Sequence, residues 1–239
     1  MDVRTRILEA AADLLSRSAD ADVSTRAVCE AAGVGAPMLY RQFGDKEGLL
    51  SAVVDYGFEQ YLASKRAARP SADPVRDLRN GWDSHVRFAV ENPNYYRLMY
   101  SPGLTVPPEA AAEAHRLLLG VLERCAAAGR LRVSPETAAQ MVMSANAGIA
   151  LSLISRPALY PDISVSDRVR DAMVGAVTRD APADGGAGNA AGATPEARLA
   201  GAAATLGAQV RVSPPPGLTE AERALLQQWL GTVADHRTE

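Results

Sequence analysis

Between Ser24 and Leu50 the chain reads STRAVCEAAGVGAPMLYRQFGDKEGLL, and the glycines and proline in this run leave room for little but short helices. Ser24 is placed to cap a first helix with its hydroxyl. Ala27, Val28, Ala31 and Ala32 then recur at helical spacing and give it a small apolar face. Gly33 supplies the positive φ with which helices commonly end, and Val34 plugs the corner that follows. Pro37 suits the first turn of a second short helix, where a missing N–H costs nothing. Leu39 and Phe43, four apart, face inward and leave Met38, Tyr40, Arg41 and Gln42 outside. Gly44 ends that helix, and Asp45 caps a third that begins at Lys46.

Two short helices joined by a glycine turn, the second presenting polar and aromatic side chains, form the helix-turn-helix pattern of DNA readers. The residues that carry it resemble the tetracycline-repressor (TetR) family of bacterial regulators. They are Ser24, Val28-Cys29, Ala32-Gly33-Val34, Leu39-Tyr40, Gln42-Phe43, Lys46 and Leu49, and the likeness covers about residues 5 to 50. Three positions depart from the family pattern: Gly35 stands where a capping Ser is usual, Gln42 replaces His and Cys29 replaces Ala. The resemblance implies an all-α chain, with an N-terminal three-helix DNA-binding head (residues 1–46) and a larger helical ligand-binding and dimerisation body (47–179). It also implies a homodimer on a palindromic operator of double-stranded DNA, its reading helices about one DNA turn apart. Tyr40 and Lys46 are expected to contact phosphates, and Ser24, Thr25 and Arg26 to anchor the first short helix on the backbone. Ala36, Pro37, Met38 and Arg41 would face base edges; of these only Arg41 can grip guanine with two hydrogen bonds.

Charge limits how such a head can work. The whole chain carries a formal −3, and in residues 1–50 six cations face eight acids. DNA binding would thus depend on a few placed cations and not on a broad positive field. Residues 3–18 read as an amphipathic helix with Ile7, Ala11, Leu14 and Leu15 inward. Arg4 and Arg6 at its start either approach a phosphate or are solvated, and the acidic loop 19–23 is expected to point away from DNA.

Beyond the head, apolar residues are nearly half the chain while aromatics are scarce, which favours packed helices over sheets. A helix from Lys46 to about Ala67 turns Leu49, Leu50, Val53, Val54, Phe58 and Leu62 inward. Its basic end, Lys65, Arg66 and Arg69, suits a helix C-terminus. Residues 74–91 form the next helix, and Asn94 is placed to cap a short one through Tyr100. That short segment holds Tyr95, Tyr96, Met99 and Tyr100, side chains suited to a pocket for a flat or irregular apolar effector. Trp82, His85, Tyr96 and Met99 are the candidate lining residues. After a loop at 101–107, a helix over 108–128 points Ala112, His115, Leu118, Leu119 and Leu122 inward. Ser134-Pro135 begins a helix to Ser155 so apolar all round that it needs burial on more than one side. Asn146 is the amide inside it, available to a ligand, to its twin across a dimer axis or to a neighbouring backbone group.

A helix over 164–179 follows, then a flexible Gly/Ala-rich linker (180–194) and a C-terminal helical extension (195–239). The final helix opens with a capping box at Thr219 and Glu222 and carries a stripe of Leu225, Leu226, Trp229, Leu230 and Val233. That stripe is expected to pack on the body or across the dimer. Cys29 and Cys125 lie in apolar helical stretches and read as reduced, buried thiols. No signal peptide or eighteen-residue apolar run is read, so a cytoplasmic protein without a membrane partner is expected. His85, His115 and His236 have no metal-ligand spacing, and no nucleophile elbow, Walker or dinucleotide motif occurs. The reading is therefore of a ligand-responsive transcriptional regulator, most readily a repressor, with no catalytic residues, metal or cofactor. Two alternatives stay open: a helical-bundle ligand-binding protein or enzyme with a vestigial head, and an interaction module working through the C-terminal stripe.

Overall fold

The structure is a computed structural model, and it describes residues 2–18, 22–100, 108–179 and 194–235. Most of the loop at 19–23, the loop 101–107, nearly all of the linker 180–194 and His236 lie outside the described residues. Eleven helices are formed among the described residues: α1 (Val3–Ser16), α2 (Thr25–Ala32), α3 (Ala36–Phe43), α4 (Lys46–Ala67), α5 (Pro74–Glu91), α6 (Pro93–Met99), α7 (Glu109–Ala127), α8 (Pro135–Ser155), α9 (Val165–Val177), α10 (Pro195–Val212) and α11 (Glu220–Asp235). The one non-helical pairing among the described residues is an isolated antiparallel bridge between Leu131 and Thr178. The fold is all-α, as expected.

The chain divides into two compact units, residues 1–68, 85–116 and 150–161 in one and 69–84, 117–149 and 162–239 in the other. In the first, α1 packs on α2, α4 and α6, while α3 packs on α2 and α4. Ile7, Ala11 and Leu15 of α1 are fully buried, as are Val28, Leu39, Leu49, Val53, Val54 and Phe58. The inward face expected of α4 is therefore the one observed. Gly57 brings α4 and α6 together: a Cβ there would lie 2.3 Å from the Tyr95 ring, so no larger residue fits without displacing it.

In the second unit α10 lies against α11 over a seam of small residues, Ala203, Ala204 and Ala234, with Leu230 and Val233 packed on them. The capping box forms, Thr219 N–H donating to the Glu222 carboxylate (2.8 Å) and Glu222 N–H to the Thr219 hydroxyl (3.3 Å). Ser134 caps α8 through the Thr137 N–H and is itself held by Asp235, its hydroxyl 2.8 Å from that carboxylate. Both cysteines are free and buried, and burial pushes the Cys125 thiol up to about 12.

Several local expectations change. Ser24 sits at the N-cap of α2 in extended backbone, but its hydroxyl makes no capping hydrogen bond. Ala31 is exposed, because the eight residues of α2 present only Val28, Cys29 and Ala32 to the core. The cap of α6 is Asn92 with Pro93 following it, two residues earlier than the Asn94 cap expected. Ala112 and His115 face outward on α7, whose buried residues are Ala110, Leu122, Cys125 and Ala126. Of the α11 stripe, Leu225 and Trp229 remain 42% and 59% exposed, since α10 covers only one side of the helix. Finally, α8 is long and apolar enough to cross a membrane by length and composition, with half of its apolar window buried.

Candidate nucleic-acid interface

The geometry of the interface begins with Gly33. At φ 64° and ψ 40° it takes the left-handed conformation that ends α2, and Val34 N–H returns to the Cys29 carbonyl at 3.0 Å. That turn redirects the chain into α3, whose start is set by extended Gly35 and by Pro37 in the first turn. Leu39 plugs α3 into the core at zero exposure. The opposite side then presents Ala36, Pro37, Tyr40 and Arg41 to solvent, with Met38 half-buried among them. The Arg41 guanidinium lies 3.0 Å from the Met38 sulfur, so these two side chains share one surface position. Ser24 and Arg26 are exposed and Thr25 half-buried at the start of α2; Arg26 pairs with Glu30 at 3.0 Å. All nine candidate contacts are thus fully or partly accessible.

Two features of this surface were not read from sequence. Arg4, though exposed, folds back onto α3. Its Nη1 donates to the Gln42 carbonyl (2.9 Å) at the end of α3, and its guanidinium stacks 4.5 Å from the centre of the Phe43 ring. A cation there also suits the negative end of the helix dipole, so α1 holds the reading helix by its C-terminus. The second concerns Asp22, the last acid of the 19–23 loop: it turns back to Lys46, with each carboxylate oxygen 2.9 Å from Nζ. At α4 the expected cap is present, Asp45 accepting from Gly48 N–H at 2.7 Å.

Of the candidate effector-binding residues, His85 and Tyr96 meet in the first unit. Tyr61 hydroxyl lies 3.0 Å from His85 Nδ1, and Tyr96 hydroxyl 2.8 Å from Nε2, so one imidazole joins α4, α5 and α6. Phe58 and Phe88 pack beside them as a tilted pair at a centroid separation of 4.4 Å. Burial depresses the His85 pKa to about 3, with the Lys65 charge adding to the effect, and burial raises Tyr96 far above the ordinary phenol range. Met99 is half-buried at the end of α6. Trp82 and Asn146 belong to the second unit. The Trp82 indole donates to Ser166 Oγ (3.0 Å), and the Asn146 amide reaches the Trp82 carbonyl at 3.4 Å. The Asn146 Oδ1 is buried without a hydrogen-bond partner among the described residues. Tyr61 was missed in the sequence because it lies one residue before Leu62 in an apolar stripe and reads as packing alone.

The first unit also holds an open cleft of about 490 Å³, lined among others by Asp55, Glu59, Glu109, Glu113, Arg66 and Arg116, and none of the five candidates lies on it. Its charges are largely paired with each other, Arg116 to Glu113 at 2.7 Å and Arg66 to Glu59 at 2.5 Å. Asp55 accepts from Ala110 N–H at the start of α7 (2.8 Å), and burial raises its pKa. Among the described residues no group of three His, Cys, Asp or Glu is placed to hold a metal.

Comparison with known protein families falls on the same segment. The sequence model of the bacterial regulatory proteins, tetR family, matches residues 7–53. The HTH-type transcriptional regulatory protein RaaS of Mycobacterium tuberculosis (strain ATCC 25618 / H37Rv) is 42% identical over 75 residues, 31% of this chain and 35% of RaaS. The match therefore spans about a third of that curated relative. Among solved structures, the transcriptional regulator FadR of Bacillus subtilis in complex with stearoyl-CoA aligns with a TM-score of 0.59 at 15% identity, over 71% of this chain and 97% of FadR. A TetR variant of Acinetobacter baumannii AYE in complex with minocycline aligns with a TM-score of 0.58 at 19% identity, over 74% of this chain and 96% of that one. At such identities these structures speak for the fold alone. Residues 7–53 thus match the TetR family of bacterial regulatory proteins, in the segment whose helix-turn-helix geometry spans residues 24–50.

Proposed function

We propose that this protein is a ligand-responsive DNA-binding transcriptional regulator, a repressor that binds a palindromic operator as a homodimer and leaves it on binding a small apolar or aromatic effector. The observation that carries the reading is the exposed face of α3. Ala36, Pro37, Met38 and Arg41 stand on a short helix fixed by Gly33, Leu39 and the Arg4 clamp, inside the segment that matches the family. In this reading Arg41 supplies the base contact with the highest information content, Tyr40 and Lys46 meet phosphates, and Ser24, Thr25 and Arg26 anchor α2. The dimer is supported by apolar side chains left in solvent on α10 and α11, Leu199, Leu206, Leu225 and Trp229 among them, a surface that a second copy would cover. The effector reading rests on the aromatic cluster around His85 and on the unsatisfied Asn146 Oδ1, an acceptor ready for a ligand donor.

A fluorescence-anisotropy titration against the upstream intergenic DNA, at two salt concentrations, tests it. Saturable, sequence-selective binding is expected, with Arg41→Ala relaxing sequence preference. Lys46→Ala should weaken binding to all sequences and reduce the salt slope by about 0.9 per head. Equal, weak binding to unrelated DNA would overturn the proposal, and equal loss of specificity in both variants would overturn the division of roles.

A further inference from the structure

Lys46 opens α4, where the helix dipole disfavours a cation and favours an anion in front of it. Asp22 supplies that anion. Both of its carboxylate oxygens lie 2.9 Å from the Lys46 ammonium, across 24 residues of sequence. The carboxylate is set in place locally: Val23 N–H donates to its Oδ1 (2.8 Å), and its own N–H donates to Ser18 Oγ (3.2 Å). The contact with Lys46 holds the Asp22 carboxyl below its usual range, so the group is ionised at neutral pH. Yet the pair is open to water, with the two side chains 44% and 58% exposed. It is strong enough to place the ammonium and weak enough to be exchanged.

We propose that Asp22 is a built-in competitor for DNA phosphate: it occupies the Lys46 ammonium in the free protein and must be displaced when that ammonium meets the backbone. The proposal rests on the DNA-binding reading above. In a head whose cations are outnumbered by acids, it makes Asp22 a residue that sets how tightly the protein holds DNA of any sequence. Displacement leaves an unpaired carboxylate beside a phosphate, so the competitor acts against the bound state twice, through the lost pair and through like-charge repulsion.

The test is a double-mutant cycle on the full chain, Asp22→Asn, Lys46→Ala and the two together, by anisotropy against a 30-base-pair duplex enriched by the wild-type protein from a random library. Asparagine keeps the Oδ1 acceptor for Val23 N–H, and far-UV circular dichroism checks that each variant folds. Asp22→Asn is expected to tighten binding roughly two- to fivefold at low salt, and the gain to vanish in the Lys46→Ala background. Binding by the wild type with no gain in Asp22→Asn overturns the proposal and leaves the DNA-binding reading intact. A gain that persists without Lys46 also overturns it, since plain removal of negative charge would then suffice. Enrichment of a duplex from the same library by Asp22→Asn where the wild type enriches nothing supports it strongly, whereas silence from both removes this proposal and the DNA-binding reading together.

Discussion

Replacing His85 with glutamine should flatten the dependence of stability on pH. The imidazole is 7% exposed and sits between two tyrosine hydroxyls at 3.0 and 2.8 Å. As a neutral ring it donates through one nitrogen and accepts through the other, which suits one tyrosine in each role. As an imidazolium it would donate through both, need both hydroxyls as acceptors, and carry an unpaired charge into an aromatic core within the field of Lys65. The folded pKa is therefore depressed to about 3 from 6.5, with desolvation the first cause and Lys65 the second. Between those values the unfolded chain binds the proton and the folded one does not, so stability rises with pH. The stabilisation is fully present above pH 6.5, falls progressively on acidification, and stops falling below about pH 3, where both states are protonated. Between pH 7 and pH 5 this one group should remove about 2 kcal/mol, and by pH 4 roughly 3 kcal/mol.

Urea denaturation followed by far-UV circular dichroism at pH 7, 6 and 5 measures this directly. Wild-type protein should lose that ~2 kcal/mol over the interval in excess of the His85→Gln variant. The variant will itself be less stable at pH 7, by about 1–3 kcal/mol, because one tyrosine hydroxyl loses a partner. That offset does not enter the comparison, which concerns slopes. Parallel slopes for the two proteins would refute the reasoning, by showing that His85 titrates alike in the folded and unfolded states.

Other substitutions test separate contacts. Asn94→Ala removes a side-chain amide that donates to the carbonyls of Leu15 (2.8 Å), Ser16 (3.2 Å) and Ser18 (2.9 Å), and should lower stability by about 1–3 kcal/mol in urea melts. Hydrogen exchange should quicken first at the end of α1, and uniform protection there would count against the assignment. Gly57→Ala places a methyl against the Tyr95 ring and should cost about 1–3 kcal/mol despite the better helix propensity of alanine. A thermal midpoint equal to or above wild type would show that the ring moves aside freely. Arg4→Met keeps apolar contact with Phe43 but loses the Gln42 carbonyl and the charge. It should cost about 1 kcal/mol and weaken DNA binding through disorder of α3, with wild-type affinity as the opposing result.

The N-terminal helices were legible because their signals are local. Gly33, Pro37, Gly44 and Asp45 each act on backbone within four residues, and the stripes of Ile7, Ala11 and Leu15 or of Leu49, Val53 and Val54 need only helical periodicity to be read. What sequence could not supply is the destination of polar groups. Arg4 looked like a solvated or phosphate-facing cation because nothing local marks the end of a helix 38 residues away as its partner. Asn94 follows a proline at a helix start and reads as a cap, while the structure uses it on another helix altogether. His115 and Ala112 fell on an apparent apolar face of α7, but a helix rich in alanine has no strong stripe, and rotating it slightly exchanges its inner and outer residues. The α11 stripe is half exposed for a different reason, that α10 covers only one side of it.

Those misread polar groups are also what ties α1 and α4 to the helices that follow them in the first unit. Apolar faces slide with little penalty, since a leucine finds nearly equivalent contacts a fraction of an ångström away. Hydrogen bonds to particular carbonyls do not. Asn94 holds three carbonyls at the end of α1, and its own Oδ1 accepts from Arg97, which also donates to the Ile154 carbonyl at the end of α8. On the other side of the same unit His85 is bonded to Tyr61 of α4 and to Tyr96 of α6. A displacement of α6 therefore either carries α1 and α4 with it or breaks one of these links at a cost of about 1–3 kcal/mol for each buried group left unpaired. That is the scale of coupling free energy typical between two sites on one protein. Helices α1 and α4 are also the ones that pack on α2 and α3, so the aim of the reading surface is fixed through bonds with discrete geometry and not through the softer apolar core beneath it.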